Sequence, residues 1–268
     1  MPRVVLVTGA SSGFGKACSR LLAANGFRVF GTSRKADFSE ICGVVMVPMD
    51  VNNDESVQTA IGYVQREAGA IDVLVNNAGY GISGAIEDTT VEEAKALFET
   101  NFFGVHRVCN AVVPLMRLQG QGHIINIGSI GGVVSIPFQA FYSASKSALA
   151  SLSDGMSMEL RPYGIQVTRI EPGDYRTGFT DNRIMVEKSG VGSVYQERCQ
   201  RAVSVMEHDE QNGADPEQLA VKLLKILQLK QAGLVYREGM LVQTMLVKLL
   251  PLLPRRWIEK LIMMTYKV

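Results

Sequence analysis

Residues Thr8 to Gly15 read T-G-A-S-S-G-F-G, directly after a short apolar run, Arg3–Val7. Such a turn needs glycine for physical reasons. Gly9 permits a tight exit from a strand, because it lacks the Cβ that penalises positive φ. Gly13 and Gly15 let backbone N–H groups and the following helix approach a pyrophosphate. A helix starting near Gly13 points its positive end at that anion. Ser11 and Ser12 add hydroxyl donors, and Phe14 lies between the last two glycines. A glycine-rich turn on its own is also an ordinary loop. One that leaves a strand and opens a helix binds a dinucleotide, and it predicts a Rossmann-type sheet.

The chain on either side keeps that rhythm. Apolar runs suited to strands recur at Arg28–Thr32, Val44–Val47, Val73–Asn76, His123–Ile127 and Gln166–Ile170. Helical patterns separate them, near Gly13–Asn25, Asp54–Ala68, Val91–Leu118 and Gln139–Leu160. Strand–helix–strand alternation predicts an α/β fold: one Rossmann domain with a doubly wound parallel sheet and helices on both faces. The continuous apolar strands fit a sheet covered on both sides. Ligands on such sheets sit beyond the carboxyl ends of the strands. Asp174–Asn212 differs in texture, being polar and weakly periodic, and reads as a mobile excursion that closes over substrate. A helix, Pro216–Leu229, and a strand near Leu234–Tyr236 follow it.

Composition narrows the function classes. Apolar residues make up 47% of 268, enough for a large core, and the net charge of +1 offers nothing to a polyanion such as nucleic acid. Cys18, Cys42, Cys109 and Cys199 are widely spaced, as are the three histidines, so no metal-ligand pattern forms. Free thiols fit a reducing, cytoplasmic compartment. Val4–Val7 is too short for a signal peptide and reads as the first strand.

The end of the second strand bears on which dinucleotide is bound. An NAD site places Asp or Glu about 20 residues beyond the glycines, to hold the ribose 2′-hydroxyl. Here the place holds Ser33, Arg34 and Lys35, with no acid before Asp37. A guanidinium grips a 2′-phosphate bidentately and stacks on adenine. The expectation is NADP(H) first and NAD(H) second, unless the basic pair is only a solvated turn.

Y-S-A-S-K, Tyr142 to Lys146, places a phenol and an amine four residues apart on one helix face. A phenol near pKa 10 is a poor acid or base at neutral pH. A neighbouring cation lowers that value and fits Tyr142 for proton transfer. Alone, this spacing is common as surface decoration. Ser129, in I-N-I-G-S at the end of a strand, adds a donor for a substrate oxygen. Asn101, in N-F-F-G, interrupts an amphipathic helix. Asparagine is disfavoured there unless it serves a purpose, such as bending the helix or holding a water.

Together these motifs resemble the short-chain dehydrogenase/reductase family. The resemblance rests on Thr8–Gly15, Asp50-Val51, N-N-A-G at Asn76–Gly79, Asn101–Gly104, Ser129, Tyr142–Lys146 and P-G-D-Y-R-T at Pro172–Thr177. It covers about residues 3–180. It implies that Tyr142 is the proton donor or acceptor, and that Lys146 holds the nicotinamide ribose and depresses the tyrosine pKa. Ser129 would polarise the substrate oxygen, and Asn101 would hold a water in a relay to Lys146. Asp50 would bond the adenine amino group, with Val51 beside the ring. Asn77, Ala78 and Gly79 would line the cofactor ribose, and Pro172, Gly173 and Thr177 would approach the nicotinamide. The resemblance also implies subunit pairing, as a homodimer or homotetramer. Asp174-Tyr175-Arg176 departs from the smaller or apolar residues of many relatives and marks a substrate preference.

The expected activity is hydride transfer between NADP(H) and a hydrophobic alcohol or carbonyl compound, steroid-, retinoid- or lipid-like. Two alternatives stand beside it: a redox sensor without chemistry, and a 3-oxoacyl-thioester reductase. A sensor has no need of Tyr142, Lys146, Ser129 and Asn101 together. The apolar tail, Met240–Val268, is broken by Gln243, Thr244, Lys248, Pro251 and Pro254 and is too interrupted to span a membrane. It fits three roles: packing against the core or a partner subunit, a wall of a greasy pocket, or shallow contact with a membrane surface through its basic and apolar residues.

Overall fold

The computed structural model describes residues 2–250 and 253–268. The first half runs β1 (Val4–Val7), α1 (Gly13–Ala24), β2 (Arg28–Ser33), β3 (Glu40–Ile41), β4 (Val44–Pro48), α2 (Asp54–Ala68), β5 (Val73–Asn76) and β6 (Ile82–Ser83). Then come α3 (Val91–Phe98), α4 (Gly104–Gln119), β7 (Gly122–Ile127), α5 (Ala140–Leu160) and β8 (Ile165–Pro172). The remainder is β9 (Ile184–Met185), α6 (Gln196–Gln211), α7 (Pro216–Gln228), β10 (Val235–Glu238), α8 (Leu241–Leu249) and α9 (Arg255–Thr265).

The layering follows from the side-chain alternation of β1, which is buried along its whole length. Val4 and Leu6 join Val57, Ile61 and Val64 of α2 and Val108 and Val112 of α4 in one core layer. Val5 and Val7 join Ala17 and Leu22 of α1 and Leu219 and Leu223 of α7 in the other. Burying each such side chain contributes about 1.5–3 kcal/mol, so a strand apolar on both faces belongs between two helical layers.

The sheet order is β10-β8-β7-β5-β1-β2-β4-β3, parallel throughout except for β3 on the edge. The chain winds outward from β1 through β2 to β4, then returns to β5 and winds the other way. That reversal between β1 and β5 opens a crevice at their carboxyl ends. The sheet is therefore a single-domain, doubly wound Rossmann fold, as the strand pattern predicts.

Two differences from the expected elements have local causes. The helix expected over Val91–Leu118 is interrupted by a π-helical turn, Glu99–Phe103. Asn101 lies within it and bonds to the backbone of Tyr80, which draws the turn inward. The polar stretch 174–212 contains the 16-residue helix α6 and the strand β9, which pairs with β6. Only four residues of α6 are buried, so its periodicity is faint in the sequence. The tail folds as two short helices, α8 and α9. Pro251, read as one of its breaks, lies outside the described residues. No described helix is long and apolar enough to cross a membrane.

Candidate active site

The carboxyl ends of β1 and β5 are tied together by Thr8. Its hydroxyl accepts hydrogen bonds from the backbone N–H groups of Asn77 and Ala78, both at 2.9 Å. Asn77 Nδ2 returns bonds to the carbonyls of Thr8 and Gly9, at 2.9 and 3.1 Å. A Cβ on Gly15 would lie 2.2 Å from the Gly9 carbonyl oxygen and 2.5 Å from Asn77 Nδ2. This glycine therefore seats α1 against the strand ends. Gly9 has φ +67° and Gly13 has φ +50°, which side-chain-bearing residues rarely adopt.

The amino terminus of α1 is left open. Ser12 is extended, its side chain does not cap the helix, and no acid lies in the first turn. The first N–H groups of α1 are thus available to an anion, whose charge the helix dipole favours. A cavity of about 1080 Å³ runs from this turn along the strand ends. Nearly all the residues singled out from sequence line it: Gly9, Ser11, Ser12, Gly13, Phe14, Ser33, Arg34, Asp50, Val51, Asn77, Ala78, Gly79, Ser129, Tyr142, Lys146, Pro172, Gly173 and Thr177. Gly15 and Asn101 stand just behind the wall. Arg34 is exposed at one end and makes no hydrogen bond or ion pair among the described residues. Asp50 sits nearby, its Oδ1 accepting from the Asn52 N–H at 3.0 Å.

At the other end, α5 presents Tyr142 and Lys146 on one face, both buried. Lys146 Nζ donates to the carbonyl of Ile127 at 3.0 Å and lies 5.9 Å from the Tyr142 ring centre. Ser129 Oγ accepts from the Gly131 N–H at 3.0 Å and faces the same cavity as Tyr142. Asn101 Nδ2 donates to the Tyr80 carbonyl at 2.9 Å and to Ser145 Oγ at 3.3 Å, while its Oδ1 accepts from Tyr80 N–H at 3.1 Å. A Cβ on Gly79 would meet Asn101 Oδ1 at 3.0 Å and Lys146 Nζ at 3.7 Å, so a glycine there leaves the cradle open.

The spacing predicts that the amine, with an oxidised nicotinamide beside it, lowers the tyrosine pKa; in the protein alone that pKa is pushed up to about 12. Burial is the main cause. The Ser129 hydrogen bond and Arg183 pull it down, and the carboxylates of Glu210 and Asp174 push it up. Burial also lowers Lys146, to about 8, so it still carries its proton and positive charge at neutral pH.

Arg183, Asp209 and Glu210 carry no readable signal in the sequence, yet they reach the cavity from the polar stretch, beside Asp174, which the sequence marks; Gln243, Val247, Leu250, Ile262 and Tyr266 reach it from α8, α9 and their flanks. The tail is thus one wall of the cavity, while Met245, Leu249, Trp257 and Met264 on its other side are exposed.

A model of the family described as "short chain dehydrogenase" matches residues 3–187. The chain belongs to the short-chain dehydrogenase family. It is an oxidoreductase of the nicotinamide-using, carbonyl/alcohol class. Among its relatives, a 3-ketodihydrosphingosine reductase of Bacteroides thetaiotaomicron is 43% identical over the whole of this chain and 99% of its own length. A solved short-chain dehydrogenase from Streptomyces avermitilis is 32% identical with a TM-score of 0.80, covering 92% of this chain and 91% of its own. A Burkholderia phymatum member solved in complex with NAD shares the fold, at 24% identity and a TM-score of 0.75, covering 87% of this chain and 88% of its own.

Proposed function

We propose that this short-chain dehydrogenase reduces the ketone of a long-chain lipid of the 3-ketodihydrosphingosine type, using NADPH. The observation that carries the reading is the continuity of one cavity from the Tyr142 hydroxyl to the apolar wall of α8 and α9, where Leu246, Val247, Leu250, Leu261 and Ile262 line it. The full-length relative that bears the reductase name supports the same substrate class. Arg34 at the other end supports preference for the 2′-phosphate.

The residues present fit a nicotinamide dinucleotide. The open α1 terminus and glycine turn would hold its pyrophosphate, Asp50 and Val51 the adenine, and Gly79 and Lys146 the nicotinamide ribose. When bound, it supplies the hydride that reaches the carbonyl carbon. Ser129 orients the carbonyl oxygen. Tyr142, protonated throughout the neutral range, gives its hydroxyl proton to that oxygen as the alcohol forms. A phenol with a raised pKa holds its proton until charge develops on its partner, which suits reduction. Asn101 keeps a lone pair on Oδ1 for a water leading towards Lys146. The 174–212 segment covers the reacting end and excludes bulk water.

The test is NADPH consumption with 3-ketones of increasing chain length, beside small ketones and 3-oxoacyl thioesters. Each methylene buried against the tail is worth about 0.8 kcal/mol, or roughly fourfold in kcat/KM, until the wall is covered. Equal kcat/KM for short and long ketones would overturn the lipid reading, and preference for the thioester would replace it.

A further inference from the structure

In the same cavity as Tyr142, across the Phe179 ring, lies a polar cluster that neither the cofactor nor an alkyl chain accounts for. It is built from Asp174, just after β8, Arg183, just before β9, and Asp209 and Glu210 at the end of α6, and all four line the cavity. Arg183 is buried, with 2% of its side chain exposed. Its Nη2 donates to Glu210, and the guanidinium lies 6.0 Å from the Phe179 ring centre. Its Nε and Nη1 have no hydrogen-bond partner among the described residues. Buried donors on a charged group are costly to leave unmet, and Arg183 lines the cavity, so a ligand that reaches this side chain can bring the missing acceptor.

The surrounding charge restricts that ligand. Three carboxylates face one guanidinium, so a carboxylate or phosphate would be repelled by Asp174, Asp209 and Glu210. A neutral oxygen on Arg183 and a cation among the carboxylates satisfy both sets of groups. Asp174 is held in place rather than left loose. Gln243 Nε2 from α8 donates to its carboxylate, and Gln243 Oε1 accepts from its backbone N–H at 3.2 Å. Burial holds the Asp174 carboxyl above its ordinary range, a state that a bound cation relieves. Phe179 links the cluster to the reacting end of the cavity, its ring centre lying 5.6 Å from that of Tyr142 and 6.0 Å from the Arg183 guanidinium.

We propose that Asp174, Asp209, Glu210 and Arg183 form a head-group subsite for a protonated amine and a neighbouring hydroxyl on the carbons beside the reacting ketone. The carboxylates take the ammonium, and Arg183 Nε and Nη1 donate to the hydroxyl oxygen. This deepens the proposed function and rests on it: the tail measures the alkyl chain, and the cluster reads the polar end of the same molecule.

The test uses the full chain with NADPH and three ketones of equal chain length: a 2-amino-1-hydroxy-3-ketone, its N-acetyl derivative, and the 3-ketone lacking both polar groups. The parent should favour the free amine over the N-acetyl form by roughly ten- to a hundredfold in kcat/KM, the size expected of charge-assisted hydrogen bonds. Asp174→Asn should cut that ratio about tenfold, mainly through KM. Asp209→Asn should cut it as well while keeping the Gln243 clamp, which covers the case where the first variant folds poorly. Arg183→Met should erode the preference for the hydroxyl-bearing substrates over the plain ketone. If the parent reduces all three ketones equally well, or the carboxylate variants leave the ratio unchanged, the subsite is refuted and the long-chain reading stands. If none of the three is reduced although NADPH binds, both fall together.

Discussion

Replacing Tyr142 by phenylalanine removes one oxygen and leaves the ring where it is. The ring packs with Ile82, Leu97 and Val186 and lies 5.6 Å from the Phe179 ring centre. Phenylalanine keeps all of these contacts. At most the fold loses one hydrogen bond, worth about 0.5–1.5 kcal/mol. At about 2–4 °C per kcal/mol for a chain of this size, Tm should move by no more than about 6 °C. The catalytic loss is far larger. General acid catalysis contributes typically 10²- to 10⁴-fold, or about 3–5 kcal/mol of barrier. Stopped-flow measurement of NADPH oxidation should show that fall in kcat, while fluorescence titration should give an NADPH Kd within about threefold of the parent. A variant that keeps more than a tenth of parental kcat would refute the role of the phenol. So would one that loses NADPH binding in proportion to rate, because the hydroxyl would then be serving the cofactor.

Other expectations follow from single residues. Arg34→Asp should weaken NADPH roughly ten- to a hundredfold in KM while NADH changes little, since a charge-assisted bond to a phosphate is worth about 1.5–3 kcal/mol; steady-state kinetics with both cofactors checks it, and equal loss on both would remove Arg34 from specificity. His123 is buried against Thr168 Oγ1 at 2.9 Å, and burial, followed by the charge of Arg3, lowers its pKa to about 4. Its neutral form is the folded one, so the stability it supports is complete above about pH 6.5 and is lost as pH falls towards 4, at up to about 1.4 kcal/mol per pH unit. Urea midpoints across that window should flatten in His123→Gln, and an unchanged slope would assign the acid sensitivity elsewhere. Arg169 is nine-tenths buried and pairs with Glu171 at 2.7 Å and Asp154 at 2.6 Å. Arg169→Met strands the buried Glu171 with only Arg237 for company and should cost about 3–5 kcal/mol in urea unfolding.

The doubly wound sheet was legible because its causes are local. Four-residue runs such as Val4–Val7, apolar at every position, have one stable home, between two helical layers. A glycine turn leaving such a strand has one common use. Spacing within a helix likewise placed Tyr142 and Lys146 on one face before any tertiary contact was known. The π turn at Asn101 was half legible. An asparagine in an amphipathic helix signalled a purpose, but its partner, the Tyr80 backbone, is 21 residues away. Folding alone decided the remainder. The upward shift of the Tyr142 pKa comes chiefly from burial, which spacing within one helix does not reveal. Arg183 and Glu210 lie 27 residues apart in a weakly periodic polar stretch, and only the docking of α6 brings them together on the cavity wall. The tail's composition fitted three roles, because apolar residues register only that something is covered; the packing of α8 and α9 made them one wall of the cavity.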